Sequence, residues 1–280
     1  MFFEIAKFIL YSGMVVLIAK YILVITLRKL AENLNLKPKT VGDIAGYATS
    51  MPELLTITVS SMNGLMGSSV FNILSSNIIN FIQYMASILL NKNRNAFTNR
   101  AIKTDMILVF ITILIPFILV WKKIEMNLII VPAFLILFAL FLYLNHNVHK
   151  LYLQKEDKKI EEQIRKEGEK ERGNTRRTVL YIAILLGTEI LLYVIGELLG
   201  DTLNSLCHQF NVSQVVIGIL LGFITSIPEL ITFFESQKHY KNRNSDTMLG
   251  VVEATNNLLT SNVLNLFMIQ SIGILIYTIF

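Results

Sequence analysis

Apolar runs of about 18 residues or more recur along the whole of this 280-residue chain, and each can cross a hydrocarbon layer of about 30 Å as a helix. A water-soluble domain of this length has no core large enough to bury them all. With 53% of its residues hydrophobic and only 16% charged, the chain is predicted to be an integral membrane protein. No segment has the alternating pattern of a barrel strand. The fold class predicted is therefore an all-α multi-span bundle. Eight spans are read: 6–27, 40–62, 66–90, 104–121, 127–147, 178–200, 211–236 and 248–279. The opening MFFEIAKFIL has neither a basic leader nor a small-residue cleavage site and is read as the start of a retained helix. Cys207 is the only cysteine, so no internal disulfide forms.

The net charge of +5 could point to nucleic acid, but the positions of the charges assign it to topology. Arg28, Lys29, Lys37 and Lys39 follow span 1, and Lys92, Arg94, Arg100 and Lys103 follow span 3. Ten basic residues lie between 150 and 177, and Lys238, Lys241 and Arg243 follow span 7. One side of the bilayer thus holds 21 of the 25 Lys and Arg. The positive-inside rule makes that side cytoplasmic and puts both termini outside. A nucleic-acid partner has no support, and the plasma membrane is the expected location. Residues 148–177 mix the ten bases with seven acids and are predicted to be a solvated cytoplasmic linker. It divides a membrane half at 1–147 from a second at 178–280.

Two of the spans contain residues that are costly in lipid. ATSMPELLTIT (48–58) carries Pro52 and Glu53, and FITSIPELITF (223–233) repeats the pattern 176 residues later. Thr49, Ser50, Pro52, Glu53, Leu54 and Thr56 align with Thr225, Ser226, Pro228, Glu229, Leu230 and Thr232, and Gly42 and Gly46 with Gly218 and Gly222. A second pair, FNILSSNIIN (71–80) and NNLLTSNVLN (256–265), matches Asn72, Ser76, Asn77 and Asn80 to Asn257, Ser261, Asn262 and Asn265 at an offset of 185. The repeats cover about 36–90 and 212–270. Five crossings separate them, which predicts opposite orientations in the bilayer and two helix breaks meeting near its midplane.

The residue types at those breaks specify a chemistry. Pro52 and Pro228 have no N–H for the carbonyls of Ala48 and Ile224. Freed carbonyls and intramembrane carboxylates persist only where something positive meets them. Apart from Lys7 at the edge of span 1, Lys20 is the only Lys or Arg inside a span, so the expected partner is a cation. Around it lie only oxygens: the Glu53 and Glu229 carboxylates, the hydroxyls of Thr49, Ser50, Thr225, Ser226, Ser76 and Ser261, and the amides of Asn80 and Asn265. Such a shell suits Ca²⁺ and can hold Na⁺, while Zn²⁺ or copper would require Cys or His. Asn72, Asn77, Asn257 and Asn262 are equally well read as helix-to-helix glue. Glu189, Glu197 and Glu253 are expected near span ends or partly wetted, and Asp43 at the cytoplasmic interface or the mouth of a pathway.

The doubled T-S-x-P-E with a following S-N-x-x-N segment resembles the alpha repeats of the sodium/calcium exchanger family, within the calcium/cation antiporters. That resemblance implies that Glu53 and Glu229 are shared Ca²⁺ and Na⁺ ligands. It implies that Thr49, Ser50, Thr225, Ser226, Ser76, Ser261 and the carbonyls of Gly46 and Gly222 complete the sites, with Asn80 and Asn265 as a third polar pair. No tightly bound cofactor is implied, because the ions are cargo. Three departures stand out: Ala48 and Ile224 replace a usual glycine, a G-N-x-x-G-S turn is lost from the 71–76 and 256–261 segments, and eight spans replace ten. The loss of the turn glycines leaves close helix approach there an open question. Amides at 80 and 265 leave a midplane charge of about −2, which argues against potassium cotransport.

The function read from these residues is Na⁺/Ca²⁺ antiport. Proton-coupled cation antiport and a non-transporting, truncated relative acting as a cation-binding subunit are the alternatives. An enzyme is not expected, for there is no His-Glu-x-x-His motif. The sequence leaves open a homo-oligomer.

Overall fold

The computed structural model describes residues 2–34, 36–124, 126–152, 175–210, 213–242 and 247–279. Most of the charged linker expected over 148–177, namely 153–174, lies outside the described residues. Helix α1 (Phe2–Ile18) passes through a π-helical turn, Ala19–Leu23, into α2 (Val24–Asn33). Then come α3 (Pro38–Thr49), α4 (Met51–Met62), α5 (Met66–Leu90), α6 (Arg100–Trp121) and α7 (Ile130–Tyr152). The second half holds α8 (Thr175–Phe210), α9 (Gln214–Thr225), α10 (Ile227–Asn242), α11 (Thr247–Val263) and, after a π turn at Leu264–Ile269, α12 (Gln270–Ile279). There is no strand among the described residues.

Local sequence accounts for several boundaries. Pro38 starts α3 at the position where a missing N–H costs nothing. Asn99 caps α6 by accepting from the Ala101 N–H at 2.8 Å. Gly64, at φ +72°, reverses the chain between α4 and α5, a conformation that a Cβ would strain.

Six segments are long and apolar enough to cross a membrane: Phe3–Asn33, Met66–Leu90, Arg100–Trp121, Thr175–Thr202, Val215–Asn242 and Thr247–Ile279. The other two expected spans are helical as well. The segment read as 40–62 bends at Ser50 as 215–242 does at Ser226, and it is less apolar, carrying Asp43 and Glu53 among small and polar residues. The segment read as 127–147 is the 23-residue helix α7, whose stretch Ile130–Asn145 is apolar. The chain is an integral, multi-pass membrane protein.

The helices divide into an inner and an outer group. Only 22% of the apolar stretch in α6 and in α8 is buried, against 56% for α5, α9–α10 and α11–α12. Phe110, Phe117, Leu186 and Ile190 stand exposed on the outer group, as lipid contact requires.

The inner helices pair across the two halves of the chain. Helix α3 lies along α11, and α9 lies along α5. A Cβ added at Gly42 would fall 2.3 Å from the Glu253 carbonyl oxygen, and one at Gly46 would fall 2.9 Å from that of Asn257. At Gly218 it would fall 2.6 Å from the Ser68 carbonyl oxygen, and at Gly222 2.7 Å from that of Asn72. These four glycines contact residues that the two repeat offsets relate to one another. Close approach here comes from glycines on α3 and α9, facing the segments that lost theirs.

Candidate functional site

The first break is a single residue. Thr49 ends α3, Met51 starts α4, and Ser50 between them has φ −84° and ψ 0°. The second is its counterpart: Thr225 ends α9, Ile227 starts α10, and Ser226 has φ −79° and ψ 0°. The break therefore sits at the serine, with Pro52 and Pro228 in the first turn beyond, where a proline is tolerated. Glu53 and Glu229 fall in the first turns of α4 and α10, so each carboxylate is set at the positive end of a helix.

Both glutamates are 0% exposed. Thr49, Ser50, Ser76, Asn80, Thr225, Ser226, Ser261 and Asn265 are buried with them, which closes the cluster to both faces of the protein. Ser261 Oγ donates to Glu229 Oε1 at 3.0 Å, and Ser50 Oγ lies 2.9 Å from Ser261 Oγ. Hydroxyls thereby link the break of the first repeat to the carboxylate of the second. Thr49 Oγ1 bonds the Ala45 carbonyl at 2.9 Å, and Thr225 Oγ1 bonds the Leu221 carbonyl at 3.0 Å. The Gly46 carbonyl accepts from Ser50 Oγ at 2.8 Å, while that of Gly222 accepts from the Ser226 N–H at 3.2 Å. Ser76 Oγ bonds the Ile73 carbonyl at 3.1 Å.

Several buried side-chain atoms here have no hydrogen-bond partner: both oxygens of Glu53, Oε2 of Glu229, Ser226 Oγ, and Oδ1 of Asn80 and of Asn265. Every one is an oxygen. A buried acceptor without a donor costs about 1–3 kcal/mol, so a positively charged group meeting these oxygens would offset that cost. None of the ion pairs among the described residues involves Glu53 or Glu229. Nor do those residues contain a group of three or more His, Cys, Asp or Glu that could hold a metal. A shell of hydroxyl, amide and carboxylate oxygens fits a hard cation such as Ca²⁺ or Na⁺ and not a soft one.

Asn72 and Asn257 take the helix-to-helix role that was one of their two readings, and it braces the site. Asn72 Nδ2 donates to Thr56 Oγ1 at 2.8 Å, and Asn257 Nδ2 donates to Thr232 Oγ1. Thr56 Oγ1 turns back to the Pro52 carbonyl at 3.0 Å, and Thr232 Oγ1 to that of Glu229 at 2.8 Å. Each asparagine thus holds the first turn of a glutamate-bearing helix. The matched Thr56 and Thr232 were the available signal. Glu253 lies near the start of its span, as expected, but is buried at 2% exposure and not wetted, and forms a bidentate pair with Arg28 at 2.8 and 2.6 Å. Ser236 Oγ adds a bond to its Oε1 at 2.6 Å. Arg28, counted as a topology charge, is the partner that an acid in span 8 calls for. Asp43 is half-buried, between Lys39 at 3.3 Å and Thr260 Oγ1 at 3.0 Å. Glu189 is half-buried and Glu197 exposed.

A family model described as "Sodium/calcium exchanger protein" matches residues 5–146 and 180–279. No curated protein matches the chain by sequence. Its fold is similar to solved structures of the sodium-calcium exchanger NCX_Mj. Against the one soaked with 10 mM Na⁺ and zero Ca²⁺ the TM-score is 0.57, at 19% identity over 98% of this chain and 82% of that one. Against the one soaked with 10 mM Na⁺ and 10 mM Sr²⁺ it is 0.56, at 21% identity over the same shares.

Proposed function

The chain belongs to the sodium/calcium exchanger family, whose members are membrane cation antiporters, and from that premise we propose that it exchanges Na⁺ for Ca²⁺ at the Glu53–Glu229 site. In this reading the protein has eight spans in two inverted halves, with the termini outside, 148–177 in the cytoplasm, and the plasma membrane as its location. Supporting the inverted halves are the equivalent contacts of Gly42 and Gly218, and of Gly46 and Gly222.

The observation that carries the proposal is the closed cluster of two carboxylates and unpartnered oxygens. Glu53 and Glu229 supply a charge of about −2, which one Ca²⁺ or two Na⁺ neutralise. A further Na⁺ would make a Na⁺-loaded passage carry net charge. Thr49, Ser50, Ser76, Thr225, Ser226 and Ser261, the Gly46 and Gly222 carbonyls, and Asn80 and Asn265 supply the remaining oxygens for the two ions in turn. Because the two ions draw on the same carboxylates, they compete. Two unpaired carboxylates in a closed, low-dielectric chamber repel each other strongly, so the site changes its exposure only when loaded. That requirement makes the transport an exchange.

The test is Ca²⁺ uptake into vesicles holding the purified protein under an outward Na⁺ gradient. Wild type accumulates Ca²⁺, and Glu53→Gln and Glu229→Gln do not. Uptake that persists in either variant refutes the site. Uptake that follows a pH gradient and ignores Na⁺ transfers the coupling to protons.

A further inference from the structure

Asn77 and Asn262, which are outside the proposed ligand set, join the proposed ligands Asn80 and Asn265 in a four-asparagine clasp between α5 and the segment formed by α11 and the π turn after it. Asn77 Nδ2 donates to the Asn262 carbonyl at 3.2 Å, and Asn262 Nδ2 donates to the Asn77 carbonyl at 3.2 Å. Asn80 Nδ2 donates to Asn262 Oδ1 at 3.3 Å, and Asn265 Nδ2 to Asn77 Oδ1 at 3.5 Å. All four residues are 0% exposed.

Amide chemistry fixes the direction of every one of these bonds. Asn77 Nδ2 faces two acceptors, the Asn262 carbonyl and the Thr112 carbonyl at 3.4 Å. The Thr112 carbonyl is available because Pro116, four residues on in α6, has no N–H to offer it. Flipping Asn77 would turn its oxygen onto two carbonyls, so its Oδ1 must face Asn265. Asn265 can answer an oxygen only with its Nδ2, which turns its own Oδ1 the other way. The same logic runs through Asn262 to Asn80. The two amide oxygens that result, Asn80 Oδ1 and Asn265 Oδ1, are the ones left without a partner in the protein.

We propose that Asn77 and Asn262 are positioning residues: their Oδ1 atoms hold the Asn80 and Asn265 amides with oxygen, and not NH₂, toward the cation. This rests on the cation-site reading above and adds the device that sets the polarity of its two neutral ligands. A rotated amide would present N–H groups, which repel a cation.

The experiment is calorimetric titration of the detergent-purified protein with Ca²⁺ and, separately, with Na⁺, alongside thermal melting. Asn77→Ala and Asn262→Ala are expected to weaken binding by roughly 10–100-fold, the usual cost of losing a group that orients a metal ligand. Adding Asn265→Asp to Asn77→Ala, or Asn80→Asp to Asn262→Ala, is expected to restore binding, since a carboxylate presents oxygen in either rotamer. If the alanine variants fail to fold, Asn77→Ser carries the same expectation: its hydroxyl can still serve the carbonyls but is too short to reach Asn265. Folded variants that bind both ions as wild type does, or a loss that the aspartates leave in place, overturn the inference. Wild type that binds Na⁺ and not Ca²⁺ would overturn the exchange reading instead, and the Na⁺ titrations would still decide the clasp.

Discussion

Replacing Gly222 by alanine puts one methyl group where α9 crosses α5. Its Cβ would fall 2.0 Å from Ser75 Oγ, 2.7 Å from the Asn72 carbonyl oxygen and 2.8 Å from the Ser76 nitrogen. The Ser75 hydroxyl can rotate away, at the cost of its bond to the Gly218 carbonyl at 3.2 Å. The two backbone atoms cannot. Ordinary contact begins near 3.4 Å, so α9 must withdraw by about 0.7 Å, the difference from 2.7 Å. Overpacking of this kind costs about 1–3 kcal/mol. Gly187→Ala on the exposed side of α8 is the matched control, for its Cβ meets nothing within 4 Å. The helix-propensity gain of alanine over glycine, about 1 kcal/mol, is common to both and cancels in the comparison. At roughly 2–4 °C per kcal/mol, Gly222→Ala should melt some 2–12 °C below Gly187→Ala in the same detergent. It should also bind Ca²⁺ more weakly, because Ser226 and Glu229 follow α9 away from Ser76. Equal melting temperatures for the two variants would refute the close-packing account of the α9–α5 crossing.

Arg28→Ala leaves Glu253, whose side chain is 3% exposed, without its cationic partner, and should destabilise the protein by about 3–5 kcal/mol in thermal melting. A loss below about 1 kcal/mol would mean that the pair is solvated and not structural. Thr56→Val and Thr232→Val each strand a buried asparagine Nδ2, and should cost about 1–3 kcal/mol apiece. Markedly unequal losses would contradict the equivalence of the two repeats. Tyr84→Phe removes the 2.7 Å hydroxyl contact with Thr255 between α5 and α11 and should cost about 0.5–1.5 kcal/mol with ion affinity unchanged.

Membrane residence was legible in the apolar runs because lipid admits only helices or closed barrels, and hydropathy reports that constraint directly. The doubled Thr-Ser-x-Pro-Glu was equally legible, since a carboxylate in lipid is too costly to be placed twice at one spacing by chance. The position of the break was read less well. The sequence drew attention to the prolines, whereas the chain departs from the helix at Ser50 and Ser226, with each proline in the turn that follows. The asparagines were ambiguous for a physical reason: an amide can glue helices, brace a turn or present an oxygen, and only its neighbours select among these.

What the sequence alone determined is the chemistry, two acids among hydroxyls and amides within a repeat, because residue identity and spacing follow the chain. What the tertiary structure decided is which groups face one another. Gly46 and Gly222 admit the facing helices to backbone contact, Arg28 finds Glu253 across 225 residues, and Asn77 meets Asn265 across 188. Those pairings depend on helix crossings distant in sequence, and in lipid, where helices gain no hydrophobic drive to associate, shape and hydrogen bonding select them.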